Sequence, residues 1–135
     1  MSYGVAAALQ GAVYQALCDD AALAALVGSA IHDAAPSGTP TGTWVSLGPE
    51  EARDASDKSG GAALHDFIVS VISDAAGFAG AKEAAAAVSD VLVDAPLVLT
   101  RGRLVGLWFL RARAARAAQG TLRRIDLTFR ARVET

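Results

Sequence analysis

The chain has one cysteine, no basic side chain in its first 28 residues, few aromatics and no long apolar run. Each shortage excludes something. A lone Cys18 cannot close an intramolecular disulfide, and thiols of this kind are usually interior, so it reads as a buried thiol in a reducing compartment. The N-terminal stretch MSYGVAAALQGAVYQALCDD lacks the Lys or Arg of a signal peptide, and Gln10 and Gln15 interrupt its apolar residues. No segment reaches the unbroken apolar length of a membrane-spanning helix. The expectation is a soluble chain, made in the cytoplasm, with no membrane contact. Aromatics make up 6% of the residues while alanine approaches a quarter, so small side chains must do most of the core filling.

Sequence signatures of catalysis are also missing. There is no HExxH or CxxC spacing for a metal, no GxSxG around Ser46, Ser59 or Ser70, and no GK[ST] after Gly60 and Gly61. His32-Asp33 and His65-Asp66 are adjacent pairs, and neighbours on a strand face opposite ways, so neither makes an acid-base unit alone. Glu50 and Glu51 sit in a charged stretch that reads as a solvated loop. The sequence points to no enzyme, no cofactor and no metal.

What is present is a division of charge. Residues 1–100 hold twelve acids and three bases (Arg53, Lys58, Lys82), a charge of −9, and residues 101–135 hold nine arginines against Asp126 and Glu134, +7. Such asymmetry suits nucleic-acid contact, and it suits equally a protein that docks on copies of itself.

A length of 135 residues allows a single domain with one core, 1–135. Val5, Leu9, Ala12, Val13, Ala16 and Leu17 recur at helical spacing and predict a helix over 4–18. Asp19 or Asp20 then caps a second short helix, with Leu23, Leu26 and Val27 on one face and Gly28 at its end. A helix-turn-helix that reads DNA needs cations, and this one has none. Residues 30–34 suggest a short strand, PSGTPTG a loop, and TWVSL, 43–47, a strand. Residues 48–61, GPEEARDASDKSGG, read as a long mobile loop. LHDFIVSVIS, within 63–73, is apolar on both faces and predicts a central strand. After a turn over 74–80, Ala81, Ala84, Ala85, Val88, Val91, Leu92 and Ala95 stripe one side of a helix that Pro96 stops.

The remainder predicts a hairpin. Strands over 104–117 and 122–134 flank AQGT, whose Gly120 permits a tight turn. In the second, Ile125, Leu127, Phe129, Ala131 and Val133 form a core face opposite Arg124, Asp126, Thr128, Arg130, Arg132 and Glu134. In the first, Leu104, Gly106, Trp108 and Leu110 alternate with Val105, Leu107, Phe109, Arg111 and Arg113, which puts the hairpin base in the core and lets the tip project. Trp108 and Phe129 read as core. The expected class is α+β, an antiparallel sheet packed with helices in the order α-α-β-β-β-α-β-β.

Two surfaces stand out as candidate interaction sites. Arg111, Arg113, Arg116, Arg123 and Arg124 cluster towards the hairpin tip, and guanidinium pairs with phosphate or carboxylate alike. Glu50, Glu51, Asp54 and Asp57 supply an acidic counterpart. Opposite patches at different places on one subunit pair head to tail, and such contacts close into rings when the rotation allows. The alternatives are a small arginine-rich nucleic-acid-binding protein, and two charged surfaces that are merely solvated.

As a whole the chain resembles the tail terminator, or tail completion, family of long-tailed bacteriophages and phage-like gene transfer agents. The resemblance lies in ALCDDAALAALVGSAIHDAAPSGTPTGTWVSLG, in the helix GFAGAKEAAAAVSDVL followed by DAPL, and in the ending LTFRARVE. Thr43-Trp44 departs from the family's usual Pro-Tyr. The resemblance implies a structural, non-catalytic virion protein. It implies a homohexameric ring at the head-proximal end of the tail tube that stops tube polymerisation and receives the head-tail connector or stopper protein. The implied partners are copies of itself, the tail tube protein and the connector, and DNA passes through the channel without sequence-specific binding. The charge split adds the hypothesis that the Arg hairpin contacts a neighbouring subunit or the tube protein, while the loop from Glu50 to Lys58 orders only on assembly.

Overall fold

A computed structural model describes residues 3–33, 38 and 40–135. Its elements are helices α1 (Ala6–Asp19), α2 (Ala21–Val27) and α3 (Ala79–Leu92), and strands β1 (Ile31–His32), β2 (Thr43–Asp54), β3 (Ala62–Ser73), β4 (Arg103–Ala117) and β5 (Leu122–Glu134). The order is the expected α-α-β-β-β-α-β-β. The far end of the strand expected over 30–34, and positions 36, 37 and 39 of the PSGTPTG loop, lie outside the described residues.

The two N-terminal helices form as their local chemistry dictates. Leu9, Val13 and Leu17 are buried along one stripe of α1, each worth roughly 1.5–3 kcal/mol of apolar transfer. Asp20 caps α2 by accepting from Leu23 N–H at 2.8 Å, and Gly28 ends it at φ 62°. Leu23 and Val27 are buried, but Leu26 is exposed, contrary to expectation, because a seven-residue helix turns too little of its surface inward. Cys18 also corrects the reading: it lies one position past the buried Leu17, and its thiol is exposed.

The sheet order is β1-β2-β3-β5-β4, antiparallel except for the short parallel β1–β2 pair. β3 is central, as its two apolar faces require. The core lies between one sheet face and the helices. Val69, Val71, Ile125, Leu127 and Phe129 from the sheet meet Ala81, Ala84, Ala85 and Val88 from α3. The alanines let α3 approach the sheet closely. That helix ends at Leu92, four residues before Pro96, where Asp94 adopts φ 55° and its N–H bonds to Leu107 C=O at 3.1 Å.

The largest correction concerns residues 48–61. They form no long loop: β2 continues to Asp54 in register with β3, from Glu50↔Phe67 to Asp54↔Ala63, after an irregularity at Gly48-Pro49. Asp57 and Gly60 close the hairpin. Pairing uses backbone groups, so a polar, charged strand pairs as well as an apolar one when its neighbour is a core strand. The segment is therefore paired within the single chain and does not wait for assembly to order, contrary to expectation.

β4 brings a second correction. Register shifts between Leu104 and Gly106 and between Phe109 and Arg111 each insert a residue and reverse the alternation. Arg111 and Arg113 therefore share a face with Gly106 and Trp108, not with Leu107 and Phe109. Trp108 is 41% exposed, with its ring lying over Gly106, where a Cβ would come within 2.5 Å of the indole. It is no core residue, since β4 is an edge strand, whereas Phe129 on β5 is fully buried.

Candidate interaction surface

Three helices cover one face of the sheet; no described helix covers the other, the open face below, although Trp44, Ser70, Ile72 and Thr128 on it are buried. The registers place Glu51 and Arg53 of β2, Asp66, Ile68 and Ser70 of β3, Arg124, Asp126, Thr128 and Arg130 of β5, and Trp108, Arg111 and Arg113 of β4 on the open face. The bulge at Gly48-Pro49 lies opposite Ile68, Ile68 pairs with Thr128, and Thr128 pairs with Arg111 beside the second bulge at Leu110. Two irregularities thus fall in one transverse row, and bulges locally increase the twist of a strand. A crevice of about 530 Å³ results, lined by Pro49, Glu50, Glu51, Asp66, Ile68, Leu110, Arg111, Thr128 and Arg130.

Its floor carries a pair that sequence reading missed. Arg130 donates from Nε and Nη2 to the two carboxylate oxygens of Asp66 at 2.8 and 2.9 Å, a two-pronged contact between residues 64 apart in the chain. The hydrogen bond from Arg130, with the charges of Arg130, Arg53 and Arg111 around it, holds the Asp66 carboxyl below its ordinary value of 3.8, against the opposing effect of partial burial. The alternation of β3 and β5 put both residues on polar positions; only the register could pair them.

The nine residues singled out from sequence fall into distinct roles. Arg123 bonds to Gly120 C=O and Ala76 C=O, both at 2.7 Å, and its guanidinium lies over Phe78, so it fastens the hairpin tip to the start of α3. Arg124 joins Asp126 at 2.9 Å and Ser70 at 3.1 Å. Glu50 accepts from Tyr3 Oη, which pushes that phenol above its ordinary range, and its Oε2 lies 3.3 Å from Nδ1 of the buried His65. That ion-pair distance lacks hydrogen-bond geometry, and neither His65 ring nitrogen has such a bond among the described residues. Asp54 accepts from Ser56. Asp57 builds its own turn: it accepts from Ser59 Oγ, Ser59 N–H and Gly60 N–H, and these bonds lower its carboxyl.

Arg111, Arg113, Arg116 and Glu51 are left without a hydrogen bond or ion pair among the described residues, although Arg111 faces Asp66 and shares the crevice with Glu51. The five arginines do not act as one cluster. Arg111, Arg113 and Arg124 lie on the open face, while Arg116 pairs with Arg123 on the helix side. Beside them Val105, Trp108, Phe109 and Leu110 expose about two-fifths of their surface along β4. Among the described residues no cluster of three or more His, Cys, Asp or Glu is placed to hold a metal ion, and no helix is long and apolar enough to cross a membrane.

Charged and apolar side chains are thus exposed along the sheet and its β4 edge, around the central Asp66–Arg130 pair. The family model described as "Tail completion protein gp17" matches residues 11–134, and the chain belongs to that family. It is a structural tail protein. A solved chain from the "Virion of native gene transfer agent (GTA) particle" is 69% identical, with a TM-score of 0.93, over 99% of this chain and 100% of that one. No curated protein sequence matches. The resemblance read from the helices, the DAPL turn and the LTFRARVE ending is thus borne out at the level of family and fold.

Proposed function

We propose that this protein is a ring-forming terminator of the tail tube in a gene transfer agent or phage-like particle. Copies associate head to tail at the head-proximal end of the tube, stop its polymerisation and present the surface on which the head-tail connector docks. DNA passes through the ring without being read. The observation that carries this reading is membership of the tail completion family, together with 69% identity over full length to a chain of an assembled particle. Arg111, Arg113 and Arg116 on one side and Glu51 on the other, none with a hydrogen bond or ion pair among the described residues, support contacts between subunits or with the tube protein. Glu50 bonds to Tyr3 near the N-terminus, and Asp54 and Asp57 bond within their own hairpin.

Nucleic-acid binding through the same arginines draws less support, because Arg123 and Arg124 are held by contacts within the chain. Electron microscopy of particles made without this protein tests the proposal. Tails of uncontrolled length, or tails not joined to heads, are expected; particles of normal tail length joined to heads contradict it.

A further inference from the structure

We propose that copies of this chain join through their helix layers: α1 of one subunit lies in the groove between α3 and β4 of the next. The inference rests on the head-to-tail self-association proposed above and names the two surfaces that make it.

The helix layer stops short of the last strand. Phe109, Ala112 and Ala114 of β4 pair with the buried Phe129, Leu127 and Ile125 of β5, on the side of the sheet that carries the helices, yet all three are exposed. Between them and α3 runs a groove of about 260 Å³, with Ile125 and Leu127 at its floor and Ala86 on the α3 wall. The apolar face of a sheet is stable when another layer covers it, and a bare stretch of it marks a contact surface.

α1 has the shape and chemistry to cover it. A helix that faces solvent normally carries charge on its outer side, but α1 has no charged residue before Asp19. Ala7, Gly11 and Cys18 are exposed on the side opposite the buried Leu9, Val13 and Leu17. Glycine is a poor helix former, and a Cβ on Gly11 would meet no neighbouring atom within 4 Å in the subunit. Close approach of a second surface gives that glycine a reason.

Charge and level agree. The groove is lined by Lys82 and by no acid, and Arg116 follows Ala114 on the same side of β4. The C-terminal carbonyls of α1 and Asp19 attract cations, and residues 1–52 hold no Lys or Arg to supply one. Two grooves bring like charges together, whereas a groove and the end of α1 bring unlike charges together. Val5 lies against Gly102 at the base of the sheet, and Tyr14 donates to Ile31 C=O at 3.4 Å. The row of Ile31 runs through Val45, Val71 and Ile125 to Ala114. α1 therefore climbs from base to tip, and its acidic end comes level with Ala114 and Arg116 of a neighbour that is not shifted along the strands. No strand pairs between subunits, so β1 keeps its place on β2.

Cys18, the single thiol of the chain and exposed on α1, supplies one arm of the test. Particles are assembled from chains carrying Ala112→Cys or Ala114→Cys and mildly oxidised; a disulfide forms only where Cα atoms come within about 7 Å. A ladder of disulfide-linked multimers is expected, stronger for Ala114→Cys, and adding Cys18→Ser is expected to abolish it. Gly11→Trp, which has room within the subunit, is expected to keep the parent's circular dichroism and unfolding midpoint and to be lost from particles. Oligomer present with no disulfide at either position, multimers linked through Cys18 alone, or Gly11→Trp entering particles like the parent overturns the groove contact and leaves the ring reading standing. A disulfide from Ala114→Cys to a different particle protein gives the groove to that protein and also overturns it. Absence of any oligomer from parent particles overturns both.

Discussion

Asp66 shows how much of this surface is decided by single residues. Its carboxylate takes two hydrogen bonds from Arg130 while Arg53 stands 3.9 Å away, so the charged form is favoured in the folded chain. A carboxyl depressed on folding stabilises the fold fully above its unfolded value and loses that contribution as pH falls through the lower folded one. Asp66→Asn is therefore expected to cost about 1–2 kcal/mol near neutral pH, between an exposed ion pair and a hydrogen bond to a charge. The difference from the parent shrinks as pH drops below about 4. Urea unfolding of both proteins across pH 2–7 checks this, and a gap that widens in acid contradicts it. Nothing in the local sequence announces the pair, because its members are 64 residues apart and each looks like one more solvated charge on an alternating strand.

At the scale of elements, legibility followed the range of the forces involved. The α1 stripe, the Asp20 cap, the α3 alanines and the alternation of β5 are set by neighbours a few residues away, and each was readable. The extension of β2 to Asp54 was not, because its pairing is supplied by β3 and leaves no mark in composition. The two bulges of β4 escaped for a similar reason: parity changes only relative to a partner. β4's edge position, and with it the exposure of Trp108, follows from a strand order that no local pattern encodes. The Arg111, Arg113, Glu51 part of the candidate surface was legible as charge, while the roles of Arg123 and Asp57 as internal fasteners were not. Amide exchange on the isolated protein separates the two descriptions of residues 50–54. Amides of this stretch that bond to β3 are expected to exchange far more slowly than those of the turn at 57–60. Uniformly fast exchange from 48 to 61 contradicts the hairpin.

For the whole molecule, the asymmetry first visible as −9 and +7 in the two parts of the chain becomes a sheet with a basic edge at β4 and an acidic stretch on β2 at the far side. On the proposed head-to-tail association, repetition of one contact gives a ring or an open filament according to whether the rotation closes. The mass of the assembly formed on tail tubes, read by native mass spectrometry after release, tests that claim most directly. Six copies of the 13.7 kDa chain in a closed ring predict roughly 82 kDa. Release of the protein from tubes only as single chains or two-fold dimers contradicts it.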